Sequence, residues 1–386
     1  MKASSQITVA TLFFDIENIH LIKDPGMIPF TLQQYYGWKA IIPLWQNRKY
    51  EYKETYFKNI ETPFLKESKS KIMRRFEMTK WLIQNALNID VLHLYFYERW
   101  TWIYIWLFKL RNPNGIVYVH CDTDGERLIA YDLPESFFKR FVIKKLLLKD
   151  KNLKDVLWGI QNKQNCERLH KKWPFINIAY IPNGVYWNRK LNVKFENKKN
   201  TILTVARNGD PSKRTDLLLK GFAAIANEFS LYNLRLVGTV EKNFEPFITD
   251  YFKQNPELKT RIWFSGPITN REELQKIYSE SKIFCLTSAW ESFGLVTVEA
   301  LSCGCYIIES DIPANVDVTQ NGLYGTLFKS ESLDDFVEKL RECLTDEKHM
   351  AEKAATAEQY VSQYLTWEKV LRPVVSWVYS KKESIP

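Results

Sequence analysis

The sequence predicts an α/β protein built as two domains, each a parallel sheet layered with helices. Three observations predict it. The chain has 386 residues, more than one ordinary hydrophobic core organises. Strand-like apolar runs alternate with helix-like runs almost from end to end. The alternation also restarts near Thr201, after a turn at Pro182-Asn-Gly-Val185 and a charged linker over Lys190 to Asn200.

In the first half, Ile7 to Phe14 reads as a strand, and Pro25-Gly26 opens a helix over Met27 to Tyr36. Lys39 to Leu44 is a second strand, and Tyr50 to Pro63 is irregular. A long helix covers Lys69 to Leu87, followed by strand Val91 to Tyr97 and the aromatic run Trp100 to Leu110. Asn112-Pro-Asn-Gly115 punctuates before strand Ile116 to His120. A basic helix spans Glu135 to Lys149, and Asp155 to Ile160 and Asn177 to Ile181 close the half as strands.

The second half repeats the rhythm. Strands are expected at Thr201 to Ala206, Asn233 to Gly238, Arg261 to Ser265, Lys282 to Leu286 and Tyr306 to Glu309. Helices are expected at Leu217 to Glu228, Phe244 to Gln254, Arg271 to Ser279, Leu295 to Leu301, Leu333 to Leu344 and Met350 to Tyr364. The last helical run, to Tyr379, carries Pro373, which should kink it. The domains are therefore 1–187 and 188–365, with 366–386 crossing back to the first.

Composition narrows the function. A formal charge of +9 favours an acidic partner: nucleic acid, anionic lipid or a phosphorylated substrate. No RNA- or DNA-binding motif is present, so nucleic acid is not expected. The six cysteines are scattered, and Cys303-x-Cys305 alone is no zinc site. A reducing, cytoplasmic setting fits. No signal peptide is expected, because a basic segment followed by an apolar one and a cleavage site is missing. No apolar run approaches the ~20 residues of a membrane helix.

The chemistry concentrates in Ser288 to Gly304, where Glu291 and Glu299 flank a turn at Gly294. A glycine lets backbone approach a ligand, and the free amides of the following helix suit an anion. Carboxylates would repel that anion but grip hydroxyls. Phosphate with hydroxyls on both sides describes a nucleotide-sugar. Arg207 and Lys213 follow the first strand of the second half, where two cations would stabilise a departing diphosphate.

Glu291-Ser-Phe-Gly-Leu-Val-Thr-Val-Glu299 resembles the E-x7-E signature of retaining glycosyltransferases of the GT-B fold, family 4 in particular. The resemblance is strong over about Thr201 to Trp377. It implies two Rossmann-like domains facing each other across a cleft. Glu299 would hold the donor ribose and Glu291 the transferred sugar. Amides around Ser292, Phe293, Gly294 and Leu295 would hold sugar and diphosphate. Arg207 and Lys213 resemble the family's diphosphate pair, although Arg214 stands where glycine often follows the lysine. Gly238 and the loop with Pro267 and Ile268 correspond to the nucleobase contacts. His120 would face the donor sugar from the first domain. Gly26 stands where many relatives have a glycine-rich loop, and His20 and Asp24 beside it are candidates for the acceptor.

The implied activity is sugar transfer, with retention and without a metal or other cofactor, from a UDP- or GDP-sugar to a saccharide or lipid-linked acceptor. Bacterial surface polysaccharide or glycolipid synthesis is the implied setting. A rival metal site, Asp122-Thr-Asp124, resembles the Asp-x-Asp signature of the other glycosyltransferase fold, GT-A. A catalytically silent or differently reacting sugar-nucleotide-binding GT-B protein is the alternative function. Trp100 to Leu110 and the basic, apolar Phe137 to Lys149 suggest peripheral contact with an anionic membrane at its inner face.

Overall fold

The computed structural model describes residues 6–122, 153–174, 176–189 and 191–383. The basic run 137–149 and Asp124 lie outside them. The chain divides into two compact units: Met1–Gly184 with Trp367–Pro386, and Val185–Thr366.

The first unit runs β1 (Thr8–Leu12), α1 (Asp24–Tyr36), β2 (Lys39–Ile41), β3 (Leu44–Trp45), α2 (Glu51–Tyr56), β4 (Phe64–Leu65), α3 (Lys71–Asn85), β5 (Val91–Tyr95), α4 (Arg99–Arg111), β6 (Ile116–His120), β7 (Val156–Ile160), α5 (Lys163–Lys172) and β8 (Asn177–Tyr180). Its main sheet has the order β2-β1-β5-β6-β7-β8, with every pairing parallel. β6 and β7 are buried along their whole length. That burial on both faces explains their unbroken apolar sequences.

The second unit runs β9 (Lys199–Val205), α6 (Thr215–Ile225), β10 (Asn233–Val237), α7 (Glu245–Gln254), β11 (Ile262–Phe264), α8 (Arg271–Glu280), β12 (Ser281–Leu286), α9 (Leu295–Ser302), β13 (Tyr306–Ser310), α10 (Pro313–Val318), β14 (Thr326–Phe328), α11 (Leu333–Thr345) and α12 (Glu347–Tyr364). Its strands are also parallel, in the order β11-β10-β9-β12-β13-β14. This is the Rossmann order, whose switch point lies between β9 and β12. Phe222, Leu236, Ile283, Phe328 and Phe336 form the centre of its core.

Two helices, α13 (Trp367–Val370) and α14 (Arg372–Glu383), belong to the first unit. Tyr36 O–H donates to the Glu368 carbonyl at 2.6 Å, and Lys382 Nζ donates to Asp90 at 2.6 Å. Pro373 does not kink a continuous helix. The break falls at Leu371, and Pro373 sits in the first turn of α14, where its missing N–H has no helical partner to lose.

Other expectations shift too. The irregular stretch after Tyr50 contains the short α2, and the edge strand β14 was too short to show a pattern. The aromatic run 100–110 lies in α4 and contributes to the core in part: Tyr104, Ile105 and Phe108 are buried. Lys109 is buried with them, donating to Asp155 and to the Pro113 and Gly115 carbonyls. Only Trp106 and Leu110 of this run's large apolar side chains are markedly exposed.

Candidate active site

The second sheet brings its two switch-point loops together. Arg207 to Lys213 leaves the carboxyl end of β9, and Thr287 to Gly294 leaves that of β12. Ala289 N–H donates to the Ser212 carbonyl at 2.8 Å, and Thr287 Oγ1 donates to the Lys213 and Arg214 carbonyls. The lacing puts Lys213 Nζ 2.6 Å from Glu291 Oε1, which also accepts from Ser288 Oγ at 2.7 Å. Both partners are mostly covered, with 17% and 11% of their side chains exposed.

Arg207 lies at the mouth of the same loop, 66% exposed and paired with Asp210. The Ser212 hydrogen bonds hold the Asp210 carboxyl below the usual range, and Arg207 and Lys213 help. Arg214 has φ +47°, in the left-handed region. That conformation costs a non-glycine residue about 1–2 kcal/mol. It also gives a physical reason for a glycine at this position. The Arg214 guanidinium is drawn off to Asp216 and Glu331.

Gly294 turns the chain with φ +83° into the first turn of α9. Phe293 is buried beneath it, while Ser292 and Leu295 stay half-exposed at the rim. The helix then carries Glu299 inward. Glu299 is nearly buried, taking hydrogen bonds from Arg271 at 2.6 Å and Tyr278 at 3.1 Å. The Arg271 guanidinium sits 4.1 Å from the centre of the Trp187 ring. Burial pushes the Tyr278 hydroxyl well above its ordinary value, and the Glu299 charge adds to the effect.

Below the same turn lies an acid the sequence did not single out. Glu309, at the end of β13, is fully buried. Its Oε2 accepts from Thr297 Oγ1 at 2.9 Å, and its Oε1 has no partner. Burial holds its carboxyl well above the usual range; the Thr297 bond opposes this and the charge of Glu291 reinforces it. Arg271, Tyr278 and Trp187 were likewise missed, because only long-range packing brings them to Glu299.

Gly238 has φ +121°, and a Cβ there would meet the Ala206 carbonyl oxygen at 1.9 Å. Pro267 is exposed and Ile268 half-exposed on the loop after β11. These three stand near the carboxyl ends of β10 and β11, beside the loop of Arg207.

The remaining candidates gather at the carboxyl edge of the first sheet. His120 is fully buried: Tyr118 O–H meets its Nδ1 at 2.8 Å, and Asn183 Oδ1 its Nε2 at 2.9 Å. Asn183 Nδ2 in turn donates to Asp24 at 2.7 Å, and Tyr95 O–H bonds Asp24 and Asp122. Asp24 is buried in the first turn of α1. Gly26 follows it, where a Cβ would strike the Leu21 carbonyl oxygen at 2.0 Å, so close packing already requires the glycine. His20 is half-buried and accepts the Glu17 N–H through Nδ1. Burial, then Lys23, lowers its pKa. As the neutral ring it therefore carries its hydrogen on Nε2.

The family model described as glycosyl transferases group 1 matches residues 188–360, which include the whole Lys213–Glu291–Glu299 arrangement. Residues 188–360 are thus similar to group 1 glycosyl transferases. Among curated proteins, this domain is similar to a D-inositol 3-phosphate glycosyltransferase of Rhodococcus erythropolis, 32% identical over 171 residues, 43% of this chain and 38% of that protein. It is also similar to a probable sucrose-phosphate synthase of Thermosipho melanesiensis, 27% identical over 186 residues, 46% of this chain and 41% of the relative. The matches span less than half the length of these relatives. Among solved structures, the Alr3699/HepE protein of Anabaena in complex with UDP and glucose superposes with TM-score 0.67 at 13% identity, covering 97% of this chain and 99% of that one. A glycosyltransferase from Rickettsia africae gives TM-score 0.71 at 16% identity, covering 98% and 100%. The fold is GT-B, as the E-x7-E resemblance implied.

Proposed function

We propose that this protein transfers a sugar from a UDP- or GDP-sugar to a hydroxyl of a saccharide or lipid-linked acceptor, with retention and without a metal. One observation carries the reading: Lys213 and Glu291 meet at 2.6 Å at the Rossmann switch point, beside the first turn of α9. In an open α/β sheet that point is where a nucleotide is expected. The named relatives that act on sugars, and the Anabaena neighbour bound to UDP, support the donor class.

The mechanism follows from what each group offers. The charges are paired with one another: Lys213 with Glu291, Arg207 with Asp210, Arg271 with Glu299. A bound diphosphate takes over Lys213 and Arg207, which neutralise the charge growing on the leaving group. Releasing Lys213 frees Glu291 to accept hydroxyls of the transferred sugar. Glu299, already aimed by Arg271 and Tyr278, accepts the ribose hydroxyls. Backbone N–H groups from Phe293 to Leu295 complete the anion site. The acceptor proton passes to a donor phosphate oxygen as the new glycosidic bond forms and the sugar–phosphate bond breaks. His120, with both ring nitrogens engaged, acts as a positioning residue for Asp24 and Asn183. The setting in polysaccharide or glycolipid synthesis, and the cytoplasmic location, are part of this proposal.

The test is turnover across a panel of UDP- and GDP-sugars in EDTA, with the anomeric configuration of the product read by NMR. Turnover of one donor with retention supports the proposal. A requirement for Mn²⁺, or an inverted product, contradicts it. Binding of a donor with no turnover for any acceptor class would favour the silent binder.

A further inference from the structure

Helix α3 has two apolar faces, and among the described residues only one of them packs into the fold. Arg75, Met78 and Leu82 point inward and are buried. On the other side Ile72 is 78% exposed, Phe76 59% and Met73 49%, and Leu87 just beyond the helix is 68% exposed. At about 100° per residue, Ile72 and Phe76 fall within a sector of about 40°, and Leu87 lies on the tight turn that follows the helix. Together they make a stripe roughly 20 Å long on the solvent side. Scattered single exposed apolar residues are ordinary, but an aligned row marks a contact surface.

The charge around the stripe says what it contacts. Lys69 and Lys71 stand exposed at its start and Lys80 in its middle. None of the three is engaged by a carboxylate within the described chain. Glu77 is the one acid in α3. We propose that the outer face of α3 seats the protein on an anionic lipid bilayer, with Ile72, Met73, Phe76 and Leu87 entering the headgroup boundary and the lysines meeting lipid phosphates. This is the pattern of an interfacial helix lying in the plane of a membrane. A second copy of the chain fits less well, because a two-fold contact through this stripe would set Lys80 near its own copy. The aromatic run of α4 commits Tyr104, Ile105 and Phe108 to the core, whereas the apolar residues of this stripe stay exposed. The inference goes beyond the donor chemistry and does not depend on it.

The test is co-sedimentation of the full chain with phosphatidylcholine vesicles, with and without about 30% phosphatidylglycerol. Two variants are compared: Ile72→Ser/Phe76→Ser/Leu87→Ser and Lys69→Gln/Lys71→Gln/Lys80→Gln. The wild type should partition onto anionic vesicles only, and about 0.5 M salt should weaken it. The lysine variant should lose about fivefold per lysine, and the serine variant at least about tenfold. UDP-sugar binding and the melting temperature should hold in the lysine variant. Failure of the wild type to bind anionic vesicles, or equal binding by the lysine variant, overturns the proposal. So does a dimer in solution that the serine variant dissolves, which would assign the face to a second copy.

Discussion

Both parallel sheets of this chain end in a polar cluster, and the clusters differ in kind. At the edge of the first sheet, Asp24, Tyr95, His120 and Asn183 are closed on one another, and His120 has no exposed surface. At the edge of the second, Lys213, Glu291 and Arg207 are held by ion pairs and keep partial access to solvent. A buried hydrogen-bond network of this kind rigidifies the edge it occupies. A covered ion pair can exchange one partner for a ligand group of the same charge, which keeps the remaining charge compensated. The difference lies in how the polar groups are paired, closed on one another at the first edge and paired charge to charge at the second, although both occupy the same position in similar sheets.

Substitutions can break that comparison. The largest effect is expected in the second cluster. Lys213→Ala and Glu291→Ala should each lower kcat/KM by about 10²–10³, with some loss of stability from the charge left unpaired. In the first cluster the order should reverse. His120→Ala leaves Tyr118 and Asn183 short of a partner, so stability should fall by about 2–4 kcal/mol in denaturant titrations.

Glu309 sharpens the contrast, being a closed acid under an open site. Folded Glu309 keeps its proton where the unfolded residue is ionised. Its favourable share of stability is therefore full below the unfolded value of about 4.3 and decays as pH rises toward the folded value. Glu309→Gln cannot ionise, so its melting temperature should gain on wild type over the range that opens above the unfolded value of about 4.3. A constant difference across that range would show that the acid is not held neutral.

The smallest effect belongs to Arg214→Gly. Relief of the left-handed backbone and loss of the ion pairs to Asp216 and Glu331 should nearly cancel, leaving stability within about 1 kcal/mol. UDP affinity should not move, since the guanidinium is turned to those acids.

Local pattern explains what could be read from the sequence. The α/β class and most elements follow from apolar periodicity, and the turn at Gly294 from eight residues of spacing. What escaped was set by distant contacts. Arg271 and Tyr278 reach Glu299 from α8, across more than twenty positions. Glu309 looks like an ordinary strand residue until Thr297 and the core close around it. The outer stripe of α3 escaped because its long amphipathic helix was already explained by one face. Gly26 and Gly238 carried a ligand meaning in the sequence, and the structure shows backbone crowding that demands glycine at both.

The most direct test is calorimetric titration of UDP and GDP in EDTA into the wild type, Lys213→Ala and His120→Ala. The account predicts that one nucleotide binds the wild type, that Lys213→Ala weakens it at least about tenfold, and that folded His120→Ala binds it as the wild type does. Binding that survives Lys213→Ala but is lost with His120→Ala would place the nucleotide at the other sheet and contradict the account.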